Sequence, residues 1–543
     1  MGYPGDRGQC VVHRHRPIRQ CGVRYRPDPR LVGPARTWRA GCHASPPLIT
    51  VSLRGAVGPT AMAPSSISRR AAGMRVITIV TSARGLSLGL WVMIGLMLAS
   101  MGVLFKARHH SSDASDAVVF WLFSPEHRQL YVPLLENAAD MGRPLDMQLM
   151  SIAAIERRMM SGFFGGLPTA DLIEVERAVI GRAFTGPLES VGFLDLTDRL
   201  HAEGLLDEIN PPSFGPVTSR GRIFGLPHDV HPVLLAYRSD IVEAAGIDLS
   251  TVETWDDYFT AVAPLMADAN NDGEPDRWAL SFWPTQLDNI EVLMLQGGGE
   301  LFDADERPVL NAPRNAELLA EIVSWCVGPD RVAVDIEDFS ATGHQQRIDG
   351  YAIGYLCPDW MCAIWKLQIP QLAGKVKVIP LPAFEPGGRR TSVRGGTMLG
   401  IPKDGSDIEL AWKYAKLLYT SPEVARQMYE LTDIISPVRS LWDDPVYHQP
   451  DPFFSNQPKG ALYIEQAPSV PVRTSSPYNR QAVFLLRDAA VELADYAKRT
   501  QTGEPESLRS EAARLLDRAQ ASITRVMERN AFSSVRTEDG GPQ

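Results

Sequence analysis

The sequence predicts an α/β protein of more than one packed unit, set behind a single apolar span near its start. Three observations carry that expectation. The chain has 543 residues, too many for one ordinary core, since domains usually close near roughly 100 to 200 residues. Short apolar runs alternate with helix-length segments through most of its length, the pattern of a largely parallel sheet covered by helices. Residues 86–105, LSLGLWVMIGLMLASMGVLF, contain no charge at all. A composition of 44% hydrophobic and 22% charged residues excludes a wholly disordered or collagenous chain.

The apolar run is the first element. Its twenty residues match, at helical rise, the roughly 30 Å of bilayer hydrocarbon. Arg69, Arg70, Arg75 and Arg84 precede it, and Lys106 and Arg108 follow, so the positive-inside rule puts the front in the cytoplasm and the rest outside. Leu98-Ala99-Ser100 is a poor cleavage site, and no cysteine stands just after the run to carry a lipid, so an uncleaved transmembrane anchor is expected, with a cleaved signal segment as the alternative. Residues 1–108 hold 16 Lys+Arg against Asp6 and Asp28, leaving 38 against 62 Asp+Glu beyond, a net of −24. A basic head thus joins an acidic body. Residues 1–73 are rich in Arg, Pro and Gly without any period, and Met62 and Met74 are alternative starts, so no nucleic-acid arm is inferred. Of the six cysteines, Cys326, Cys357 and Cys362 fall in the body; Cys357 and Cys362 are near enough in sequence for a bridge, which proximity alone does not establish.

The body opens with Ala117 to Phe123, an apolar run read as a buried strand, and Ser124-Pro125 starts a helix to about Met141. Leu145 to Met150 is a second strand, Ile152 to Phe163 a helix, and Ala170 to Val175 a third strand. Gly221 to Val230 leads into an apolar strand, Val233 to Tyr237. Thr254 caps a helix whose first turn holds Asp256 and Asp257, with Trp255 structural. A second α/β stretch continues to about Leu381, and a strand and the Ile408 to Leu418 helix follow Gly395. Leu508, Ala512, Leu515, Ala519, Ile523 and Val526 recur at helical spacing on the last helix, a stripe for core packing.

In order along the chain, several segments resemble the extracellular solute-binding proteins of ABC transporters, in particular the sugar-binding group that includes maltose-binding protein. Gly192-Phe-Leu-Asp-Leu196 with Gly204-Leu-Leu206 is similar to that family's "G-x-L-x-D-L … G-L-L" segment. Gly221-Arg-Ile-Phe-Gly-Leu-Pro227 with Leu235-Ala-Tyr-Arg238 is similar to its "G-x-x-Y-x-x-P … L-x-Y-N" passage, Arg238 departing from the usual Asn. Ala244 to Ile247 with Thr254 to Asp257, Gly297 to Gly299 with Asn311 to Pro313, Cys357 to Trp360, and Gly395-Gly396 with Gly400 to Pro402 continue the resemblance, which covers about residues 117 to 530. It implies a two-lobed periplasmic-binding-protein type II-like fold, with residues 117–230 and 390–440 in one lobe and 235–389 and 441–530 in the other, following the basic segment 1–85 and the anchor 86–105. It further implies capture of a carbohydrate in an interlobe cleft by hinge closure, delivery to membrane permease subunits, no nucleic-acid partner and no catalysis.

A sugar shows hydroxyls around an apolar ring face, so its site needs aromatic platforms and convergent polar side chains. Trp360, in a turn after an apolar strand, is the first candidate platform, against ordinary core packing. Trp121 and Glu126 at the end of the first strand, His228 and Asp229 after Pro227 at the hinge, Trp283, Gln286 and Asp288 in the loop before a helix, and Arg394 with Gly395 and Gly396 complete the candidate ligand-binding set. For each, the plainer alternative is packing or hinge hydrogen bonding. Asp268, Asn270, Asp272 and Asp276, with Gly273, stand at calcium-loop spacing, but Ala279 occupies the twelfth position in place of the bidentate Glu. A structural calcium there competes with a plain Asn/Asp/Gly turn, and no cofactor is otherwise required. Two alternatives to a transport component are a tethered receptor with the same fold and an exported glycoside-active enzyme, which would need a carboxylate pair facing the cleft. H-E-x-x-H, Walker and C-x-x-C motifs are all missing from the sequence.

Overall fold

The computed structural model describes Trp91, residues 93–98, Ser100, and residues 117–136, 141–268, 271 and 273–530. The expected anchor, 86–105, therefore lies mostly outside the described residues. Trp91, 93–98 and Ser100 are helical, and among the described residues no helix is long and apolar enough to cross a membrane.

The first sheet carries β1 (Val118–Leu122), β2 (Leu145–Leu149), β3 (Leu172–Glu176), β6 (Leu226–Pro227) and β13 (Thr397–Gly400) in the order β2-β1-β3-β13-β6. β1 pairs in parallel with β2 and β3, as expected of strands joined by helical crossovers, here Pro125–Glu136 and Ile152–Gly165. The expected largely parallel sheet is only half right, because β13 runs antiparallel to both β3 and β6. β13 follows a long excursion through the second sheet rather than a local helix, so nothing forces it into the parallel sense.

The second sheet holds β7 (Pro232–Arg238), β8 (Trp278–Ser281), β9 (Ala333–Val334), β10 (Ala352–Pro358) and β11 (Val376–Pro380) in the order β11-β7-β10-β8-β9, with β12 (Ser392–Val393) also paired to β7. β7 and β10 are buried at all seven positions each, the near-continuous burial expected of strands covered on both faces. β4 (Thr218–Ser219) and β5 (Arg222–Ile223) form a separate hairpin. Each sheet has its own core: Phe120, Ile173 and Phe193 belong to one cluster, and Leu235, Trp255 and Leu280 to another.

Local signals read from the sequence hold where they are local. Thr254 and Asp257 form a reciprocal capping box on the Trp255–Val262 helix, and Trp255 is 1% exposed. Leu508, Ala512, Leu515, Ala519 and Ile523 are buried along the Pro505–Arg529 helix, which packs on the Pro313–Ser324 and Asn479–Thr500 helices. Arg238 is buried: its guanidinium pairs with Asp240 at 2.7 Å and donates to the carbonyls of Arg347 and Ile348. Arg238, a departure from the family pattern in that passage, thus makes its bonds inside the protein. Cys357 and Cys362 are free thiols with sulfurs 3.9 Å apart.

Candidate ligand-binding cleft

In the second sheet, three parallel strands end on the same side and each feeds a helix. β8 leads through Phe282–Gln286 into the Leu287–Gln296 helix, β9 into Ala341–Asp349, and β10 into Asp359–Gln368. Convergent carboxyl ends of parallel strands leave a crevice where side chains from separate segments meet. Here they border a concavity of about 500 Å³ whose lining includes Gln286, Asp288, Asn289, Asp338, Phe339 and Arg394.

Trp360 sits one residue into its helix, not in a turn as the sequence suggested, because Asp359 and Pro358 start the helix directly from β10. Its ring lies nearly parallel to that of Phe339, 12° and 6.3 Å apart, and the Arg394 guanidinium carbon stands 5.5 Å from its centroid. The indole N–H donates to the Arg394 carbonyl at 2.7 Å, so the ring is held in place by its edge. Phe339 is 59% exposed, so its ring is open to solvent at the concavity. Arg394, 4% exposed, donates through Nη2 to Asp338 at 2.8 Å, while its Nε and Nη1 have no partner. The buried Oδ1 of Asn289 is also unpartnered. Unmet donors and acceptors buried beside a concavity favour a polar ligand that supplies the missing bonds.

A contact from the first sheet reaches Asp288 on this wall. Arg177, following β3, donates to Asp288 at 2.7 Å and to Glu291 at 2.9 Å, and Arg473 adds a second cation to Glu291 at 2.7 Å. Burial alone would raise the Glu291 carboxyl, yet Arg473 and Arg177 hold it below its usual range. Asp288 is additionally 3.7 Å from Arg394. Gln286 donates to Asp335 at 2.7 Å and accepts from Asn289.

The structure separates the remaining candidates from this group. Trp121 is 6% exposed inside the first core, with Arg158 over its ring at 5.6 Å, so it offers no open face to a ligand. Glu126 is exposed and accepts from Ser124 at 2.8 Å at its helix start. Trp283 packs against the second core under Lys498, 5.6 Å away. His228 and Asp229 are 2% and 4% exposed and belong to a buried chain of charges, Asp229 lining a second, narrow cavity with Gly395 and Gly396. Gly395 and Gly396, with φ of 131° and 133°, need glycine for another reason than the expected close approach to ligand: a Cβ on Gly395 would stand 2.1 Å from the His231 ring. In the calcium-spaced loop, the Asp268 carboxylate accepts the Gly273 N–H at 2.9 Å; Asn270 and Asp272 lie outside the described residues.

Sequence reasoning missed Phe339, Asp338, Asn289 and Arg177. β9 is only two residues long, too short to register as an apolar run announcing the residues after it, and Arg177 reads as one charge among many.

Two α/β lobes with a polar, aromatic-walled crevice at converging strand ends define a ligand-binding protein of the hinged, two-lobed class. Residues 165–344 match the family described as bacterial extracellular solute-binding protein. It is similar to the arabinooligosaccharide-binding protein of Halalkalibacterium halodurans, 23% identical over 356 residues, covering 63% of this chain and 76% of the relative. The sugar-binding protein MalE of Xanthomonas citri shares its fold at a TM-score of 0.61 and 17% identity, over 76% of this chain and 99% of that one. A binding protein of B. animalis subsp. lactis solved in complex with β-1,6-galactobiose does so at 0.56 and 15% identity, over 77% and 99%.

Proposed function

We propose that the chain captures a carbohydrate between its lobes and delivers it to the membrane subunits of an ABC transporter, with no chemistry performed on the sugar. One observation carries the reading: the exposed Phe339 ring, backed by the near-parallel Trp360 ring, and the Arg394 side chain with its unmet donors stand together at one concavity at the ends of three strands. An aromatic face suits the apolar side of a sugar ring, and guanidinium and amide groups suit its hydroxyls. Relatives named for arabinooligosaccharides and the neighbour holding β-1,6-galactobiose support a neutral oligosaccharide. Binding without catalysis is supported by the state of two of the carboxylates lining the concavity: Asp288 is engaged by Arg177, and Asp338 by Arg347 and Arg394, rather than paired as a free acid and base. In the same reading residues 86–105 anchor the protein, which fractionation of membranes after alkaline washing tests. Calcium in the 268–276 loop is a separate proposal, removed by calorimetry that finds no binding at millimolar calcium.

The deciding experiment is a thermal-shift screen of the full chain against arabino-oligosaccharides, lactose, galactobiose, polyols, peptides and anions, since a ligand bound only by the native state raises Tm. A rise with oligosaccharides alone is expected. A rise with peptides or anions and none with any carbohydrate overturns the sugar assignment.

A further inference from the structure

Three passages of chain run between the lobes. His228 to His231 joins β6 to β7, Arg394 to Gly396 joins β12 to β13, and Asp433 to Val438 leaves the Pro422–Thr432 helix. The first two are tied to each other, since Arg394 N–H donates to the His231 carbonyl at 3.2 Å and Gly395 packs against the His231 ring. The first and third are tied as well, Val230 N–H donating to Ile435 at 3.3 Å.

Two adjacent residues at the start of one helix touch all three. Asp359, fully buried, accepts from His231 Nδ1 at 2.7 Å and from its neighbour's Trp360 N–H at 2.8 Å through Oδ1, and from Ile435 N–H at 2.8 Å through Oδ2. Trp360 donates its indole N–H to the Arg394 carbonyl. His231 is itself held from behind by Asp229, at 3.0 Å from Nε2. A buried carboxylate bonded to two passages cannot follow one without straining the bond to the other, because any of these groups left unpaired in the interior costs its full desolvation.

We propose that Asp359 is the positioning residue of the cleft: it fastens the Trp360 helix to the interlobe passages, so that hinge movement and seating of the Trp360 ring are one event. The inference rests on Trp360 being a ligand platform. It assigns to the His231–Asp359 pair a role that the cleft lining alone does not reveal, since neither side chain borders the concavity.

The test is a double-mutant cycle on the full chain, titrated with short arabino-oligosaccharides. Trp360→Ala and Asp359→Asn each weaken binding about tenfold, and the double variant weakens it no more than the worse single one. Losses that multiply to about a hundredfold overturn the coupling. Hydrogen exchange provides a second arm that needs no ligand and no Asp359 variant: in His231→Gln, the amides of Trp360 and Ile435, both donors to Asp359, exchange faster together. Acceleration of one without the other also overturns it. An unchanged affinity in Trp360→Ala sinks the platform reading instead, and wild-type protein that binds no arabino-oligosaccharide counts against the proposed ligand; in both cases the exchange arm still decides whether the passages move as one.

Discussion

The cleft wall and the hinge are both built from charged side chains, but they use them in opposite ways. At the hinge, His231, Asp229 and Asp359 are at most 5% exposed and bonded to one another and to backbone. On the wall, Phe339 is mostly exposed, Asp288 has a half-exposed side chain, and Arg394 keeps two nitrogens without partners. Saturated, buried polar groups fix a geometry; incompletely bonded ones at a concavity keep bonding capacity for something that arrives. The same residue types therefore report structure in one place and recognition in the other, and burial with bond count tells them apart.

Substitutions that break the contrast should differ most in stability. His231→Ala leaves Asp229 and Asp359 buried without their shared cation, so a loss of about 3–5 kcal/mol is expected, read from denaturant midpoints. Phe339→Ala on the wall should lower oligosaccharide affinity several-fold while shifting stability by less than about 0.5 kcal/mol. A similar stability loss in both variants would erase the distinction.

The pH dependence sharpens it. Burial by itself would depress the His231 imidazole, but Asp229 and Asp359 raise it from 6.5 to about 10. A raised value means that the stabilisation is fully present below pH 6.5 and disappears as pH climbs through about 10. Unfolding midpoints should fall across that window in the wild type and stay flatter in His231→Gln.

The smallest effect is expected at Glu321, on the Pro313–Ser324 helix. Burial, with Asp256 nearby, raises the Glu321 carboxyl from 4.5 to about 7 against the pull of Arg314. Ionising it in the folded state is unfavourable, so stability declines between pH 4.5 and 7. Glu321→Gln should be slightly more stable than wild type at pH 8 and equal to it at pH 4; a loss at pH 8 would contradict this.

Much of the architecture was legible because its causes are local. The apolar run of β1, the Ser151-capped helix after β2, the Thr254 cap and the Leu508–Ile523 stripe each depend on residues within a few turns of one another. The cleft was half legible. Trp360, Gln286, Asp288 and Arg394 stand near apolar strands or glycine turns that the eye can find; Gln286, Asp288 and Arg394 line the concavity, while Trp360 stacks behind Phe339. Trp121, Trp283 and His228 carry similar local signals, yet lie in cores or in the hinge, because the side of a strand or loop that faces solvent depends on what packs against it. Phe339 had no apolar strand of usable length to announce it.

The sequence by itself determined the α/β alternation, the acidic body behind an uncharged span, and the order of motifs shared with solute-binding proteins, since periodicity, charge and spacing are properties of neighbouring residues. Only the tertiary structure decided that β13 enters its sheet in reverse, that Arg177 crosses to Asp288 and Glu291, and that Asp359 bonds to His231 and Ile435. Those contacts join residues 76 to 128 positions apart, and no local preference specifies which distant partner a buried charge will find.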